Sequence, residues 1–135
     1  MSARKQEQIL LVDDNQMFRE AVAQRLRAAG HQVITVATGE QAFPSVRDWS
    51  GPVGWLYTRA ALPCLVDGWI LADAYHEVHA HRPAVISAMK TRRSERDIVL
   101  KQPTPAAVMR ALLRAIEGER PSSAEVAPGE ARLAA

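Results

Sequence analysis

The chain has 135 residues, 47% of them apolar and 24% charged, with a formal charge of +2. That length makes one domain with its own core and leaves no room for a second. The lone cysteine, Cys64, excludes an intramolecular disulfide framework. The charge is too mild to argue for nucleic acid, and no apolar run reaches the roughly 18 to 20 residues of a membrane span. The polar start, residues 1–7, leads into only four apolar residues, which is not a signal peptide. A cytoplasmic protein is expected.

In chain order, residues 9–12 form an apolar run without alternation, the pattern of a strand buried on both faces. Met17, Ala21, Val22, Leu26 and Ala29 then recur at helical spacing. Asp14 or Asn15 suits the N-cap, and Gly30 the C-terminal cap. A second β-branched stretch, residues 33–37, ends at Thr38-Gly39. Residues 40–46 read as a short helix that Pro44 strains or delays. Residues 53–58 read as a third strand and residues 59–67 as a loop. Leu71, Ala74, Tyr75 and Val78 mark a third helical face. Residues 84–88 and 98–101 read as further strands. Thr104-Pro105 opens a last helix with the stripe Val108, Leu112, Leu113 and Ile116. The expected organisation is a polar lead-in over 1–7, one domain over 8–117 and a disordered tail over 118–135. Alternating strands and helices imply a parallel sheet covered on both faces, with function at the carboxyl ends of its strands. That directs attention to Asp13, Asp14, Arg59, Ser87 and Lys101.

These positions carry a resemblance. The run Ile9-Leu10-Leu11-Val12-Asp13-Asp14, Gly30, Thr38-Gly39-Glu40-Gln41-Ala42, Leu62-Pro63, Asp67-Gly68-Trp69, Ser87 and Lys101, in this order, resemble the receiver domain of two-component response regulators. The resemblance implies an α/β, flavodoxin-like, doubly wound five-stranded parallel sheet. It further implies an acidic pair that holds Mg²⁺, an aspartate after the third strand that takes a phosphoryl group from a histidine kinase, a hydroxyl after the fourth strand, and a lysine after the fifth. Carboxylate nucleophile, hard cation and fixed positive charge are the chemistry such a transfer needs. Asp13 and Asp14 match the acidic pair, Ser87 the hydroxyl and Lys101 the lysine.

The acceptor does not match. Counted back from Leu62-Pro63 and Asp67-Gly68, it falls on Arg59, and no carboxylate lies between Asp48 and Asp67. Arginine stays protonated and has no oxygen nucleophile, so it cannot form an acyl phosphate. Its guanidinium either takes the metal's place beside Asp13 and Asp14 or swings into solvent; pairing is the reading adopted. No cofactor is then expected, with Asp13 and Asp14 as ligands if Mg²⁺ binds after all. Only thirteen residues separate Ser87 from Lys101, so the fourth helix of a usual receiver is shortened or missing. Gln102 intervenes between Lys101 and Pro103. A cis bond before Gln102 would cost about 3 kcal/mol, so a trans bond or shifted turn is expected.

Other features read more plainly. His76, His79 and His81 suggest a solvated helix end rather than a metal site, for want of a third ligand. Lys90, Arg92, Arg93 and Arg96 fit solvation or an acidic protein partner better than nucleic acid. Cys64 reads as an inert thiol, Trp55 and Trp69 as packing residues, and Trp49 as an exposed contact. The sequence thus suggests a stand-alone, degenerate receiver. It would not be an enzyme and would act by binding a histidine kinase, a phosphotransferase or another signalling protein, with a homodimer left open. A regulator phosphorylated at Asp67 or Asp73 is one rival. A small α/β enzyme or flavin carrier is another, although it needs a phosphate-cradling loop where Asp13-Asp14-Asn15-Gln16 is acidic.

Overall fold

A computed structural model describes residues 7–90 and 94–119. The elements are β1 (Gln8–Val12), α1 (Gln16–Ala28), β2 (Gln32–Val36), α2 (Gly39–Arg47), β3 (Val53–Arg59), α3 (Gly68–Val78), β4 (Val85–Ala88), β5 (Ile98–Lys101) and α4 (Pro105–Glu119). The five strands form one parallel sheet in the order β2-β1-β3-β4-β5, the flavodoxin-like doubly wound arrangement. Among the described residues no helix stands between β4 and β5, as the short spacing predicts.

Two cores follow from the two-residue period of the strands. Leu10, Val12, Leu56 and Ile86 face α2 and α3, with Leu71 and Tyr75 packed on them. Ile9, Leu11, Trp55, Tyr57 and Val85 face α1 and α4, with Val22, Leu26, Val108 and Leu112 on them. Arg82 lays its guanidinium 4.4 Å from the ring centre of Trp55.

The caps of α1 were legible. The Asn15 side chain accepts from the Phe18 N–H at 3.1 Å. At the other end of α1, Gly30 takes φ 95°, and N–H groups of Gly30 and His31 reach back to the carbonyls of Arg27 and Leu26. Thr38 and Gln41 form a reciprocal capping box, which starts α2 at Gly39 despite Pro44 further in. The helix is therefore not delayed. Strand β3 runs one residue further than the sequence suggests and includes Arg59. Helix α4 continues to Glu119, past the expected boundary at 117. Residues 120–135 of the tail, residues 1–6 of the lead-in, and Arg92 and Arg93 lie outside the described residues.

One reading is corrected. His76 is 4% exposed, not solvated. Its Nε2 donates to Asp97 Oδ1 at 2.6 Å, and Asp97 also accepts from the Ala84 N–H and the Ser94 hydroxyl. This bond ties the β4–β5 connection to α3 in place of a helix. His79 packs on Tyr75 and bonds to the Val53 carbonyl. Among the described residues no group of three His, Cys, Asp or Glu could hold a metal, and no helix is long and apolar enough to cross a membrane. No cis peptide bond occurs among them either; the turn after β5 is made with Gln102 at φ 43°.

Candidate functional site

The carboxyl end of the sheet holds a cleft of about 230 Å³. Strand parity decides which side chains enter it. Asp13, Tyr57, Arg59 and Ser87 sit an even number of residues from Leu11, Trp55 and Val85, so all four lie on the α1/α4 face. Register then brings them together: Val12 pairs with Thr58, and Arg59 with Ser87.

Asp13 is 2% exposed. Its Oδ1 accepts the Asn15 N–H at 2.9 Å and its Oδ2 accepts the Tyr57 hydroxyl at 2.8 Å. Burial pushes its carboxyl above the usual range, and those two hydrogen bonds and Arg59 only partly offset it. Burial, reinforced by the Asp13 charge, drives the Tyr57 phenol well above its ordinary value. The phenol therefore keeps its proton and donates it in the hydrogen bond to Asp13. Ser87 Oγ lies 2.9 Å from the Tyr57 oxygen, and with the phenol's single hydrogen committed, Ser87 is the donor. A directed chain, Ser87 to Tyr57 to Asp13, forms the floor of the cleft.

Arg59 lies above this floor. Its Nη1 donates to Asp14 Oδ1 at 3.1 Å and stands 3.9 Å from Asp13 Oδ1. Asp14 and Arg59 are both partly exposed, with 41% and 36% of their side chains accessible. The pairing across β1 and β3 is thus present, tighter to the outer carboxylate than to the buried one.

Lys101 is not brought into this group. Ile98 and Leu100 face α1 and α4, so Lys101, one residue on, faces the opposite side. It is exposed and pairs with neither Asp13 nor Asp14. Gln102 lines the cleft in its stead, with Pro103, Phe18 and Met89. Tyr57 and Gln102 are among the cleft residues that the sequence reading did not assign to the site.

No protein-family model matches the chain, and no curated protein matches it in sequence. Solved structures match it in shape. A response regulator receiver protein from Sinorhizobium medicae superposes with a TM-score of 0.74 at 21% identity, covering 86% of this chain and 98% of that one. The fold is that of response-regulator receiver domains. A CheY-like receiver domain from Methanospirillum hungatei gives 0.70 at 16% identity over 84% of this chain and 95% of its own. The receiver domain of the hybrid histidine kinase CckA gives 0.64 at 22% identity over 82% and 96%. In receiver-fold terms, the cleft lies where the sequence resemblance predicts, at the carboxyl ends of β1, β3 and β4.

Two landmarks of the receiver pattern gain a physical reason. A Cβ on Gly39 would overlap the Val66 carbonyl, and one on Gly68 would overlap the carbonyl of Arg59. Each glycine lets a helix start press against the loop that leaves β3. Glu40 completes that clamp by accepting the N–H groups of Leu65 and Val66 at 2.8 and 3.1 Å, which holds its carboxyl below the usual range.

Proposed function

We propose that this chain is a degenerate receiver that works as a protein-interaction module in two-component or phosphorelay signalling, without phosphorylation at the end of β3. The observation that carries the reading is Arg59. It stands at the carboxyl end of β3, beside the two aspartates that follow β1, with its guanidinium 3.1 Å from Asp14 and 3.9 Å from Asp13. The reaction that the fold's relatives suggest needs a carboxylate there, and a guanidinium supplies no nucleophilic oxygen.

The donor set also argues against Mg²⁺. Octahedral Mg²⁺ takes oxygen ligands at about 2.0–2.1 Å. Both oxygens of Asp13 already accept hydrogen bonds, and Asp14 already pairs with a guanidinium 3.1 Å away. The lysine that phosphoryl transfer would draw on does not enter the cleft, since Lys101 faces away, and the cation that lines it, Arg59, is paired with Asp14. The rival acceptor Asp67 is engaged as the N-cap of α3, accepting the Ile70 N–H at 2.9 Å. The flavin reading is disfavoured by size, because cofactor pockets run to roughly 300–1,000 Å³. A histidine kinase or phosphotransferase is the proposed class of partner.

The test is incubation with acetyl phosphate and Mg²⁺, followed by intact-mass measurement. The expected result is an unchanged mass. A species heavier by about 80 Da, the mass of one phosphoryl group, would overturn the reading, and fragment masses would place the modification at Asp67, Asp73 or elsewhere.

A further inference from the structure

Arg59 is the conspicuous obstacle to a cation, yet it is the weaker of two. It is partly exposed, and its partner Asp14 is an exposed carboxylate. Such a pair opens at little cost, because water takes over both charges. Tyr57 is different. Its side chain is fully buried on the α1/α4 face, 6.3 Å from the Phe18 ring, and it cannot swing into solvent without leaving a void. Its hydroxyl takes one oxygen of Asp13 and faces Ser87 on the other side.

The geometry points to a double closure: Tyr57 is a positioning residue that keeps Asp13 and Ser87 bonded within the protein, so the site stays closed to divalent cations even when Arg59 is removed. This rests on reading the site as a receiver pocket without its metal. Arg59 holds the outer carboxylate, and Tyr57 holds the inner one. The two act on different oxygens at different depths. Restoring a carboxylate at position 59 therefore frees Asp14 but leaves Asp13 turned toward the phenol. Ser87 is held by a second bond, its hydroxyl donating to the same phenol oxygen, so it does not turn freely toward the cleft.

The experiment is Mg²⁺ titration by calorimetry of four full-length proteins: the unaltered chain, Tyr57→Phe, Arg59→Asp, and the double variant. No phosphodonor is present, so the outcome is separate from that of the phosphorylation test. The unaltered chain and Tyr57→Phe are expected to bind no Mg²⁺ in the millimolar range. The double variant is expected to bind at least tenfold more tightly than Arg59→Asp. Equal affinity of Arg59→Asp and the double variant would overturn the inference, as would binding by the unaltered chain. The double variant gathers three carboxylates and risks unfolding. Arg59→Asn with and without Tyr57→Phe repeats the comparison with less charge, and the same tenfold difference is required. Unfolding midpoints with and without Mg²⁺ provide a second readout: only the variants lacking both the phenol and Arg59 should gain a large cation-dependent shift.

Discussion

At the scale of single residues, the site is governed by what surrounds Asp13. Burial raises its carboxyl above the unfolded value of 3.8, which means the charged form is disfavoured in the folded state. The resulting penalty is present above the raised folded value and fades as pH falls toward 3.8. Asp13→Asn keeps an acceptor for the Asn15 N–H and can donate to Tyr57 without carrying charge. It is expected to be more stable than the unaltered chain by about 1 kcal/mol at neutral pH, with the advantage shrinking on acidification. Urea denaturation at two pH values checks this. A variant less stable at neutral pH by several kcal/mol would mean that the hydrogen bonds to the carboxylate outweigh its desolvation. The residues of the site differ in how far the sequence revealed them. Asp13, Asp14, Arg59 and Ser87 stand at strand ends, where an apolar run stops and chemistry begins. Tyr57 lies inside the apolar run of β3 and reads as one more core residue; only the register across β1 and β4 shows that its hydroxyl meets two polar partners. Lys101 is separated from the cleft by one residue of parity, and Gln102 lines the cleft beside it.

At the scale of elements, the beginning of one helix is coupled to the end of another strand. The N–H of Gly68 donates to the Ala60 carbonyl at 3.0 Å, closing the β3–α3 loop, and a side chain at 68 would overlap the carbonyl of Arg59. Gly68→Ala is expected to cost about 1–3 kcal/mol through overpacking and to shift the backbone of Arg59 away from Asp14. Denaturation and amide chemical shifts around residue 59 would report both effects; a neutral variant with unchanged shifts would contradict them. The start of α1 was legible because caps are local: Asn15 bonds to a backbone N–H three residues ahead, as do Thr38 and Asp67, which the sequence reading took as landmarks rather than caps. His76 was not, because its partner Asp97 is 21 residues away. A spacing of three between histidines suggests a face open to solvent or metal, and nothing local reveals that a distant carboxylate covers it. That bond also secures the short β4–β5 connection, in which no helix stands among the described residues: β5 is held by a turn fastened to α3.

At the scale of the whole molecule, two cores on opposite faces of one sheet meet only through the strands. The cleft belongs to the α1/α4 face, whereas the clamped loop of Glu40, Leu65 and Val66 belongs to the α2/α3 side. The fold class was legible from the alternation of elements alone, since a buried apolar strand followed by an amphipathic helix has few other solutions. The stacked Trp55 has one further use. It shares strand β3 and its inner face with Tyr57 and lies beneath the Arg82 guanidinium, while Trp49, at the opposite end of the sheet, is 82% exposed. With the half-buried third tryptophan, Trp69, replaced by Phe, the molecule carries two optical reporters with separate audiences. Iodide should quench a red-shifted component from Trp49 and leave a blue component from Trp55, and Tyr57→Phe should perturb only the latter. Loss of both components to the quencher would show that the inner face is open. Events at the cleft can thus be followed by light, without any label, from a side chain two residues away along the same strand.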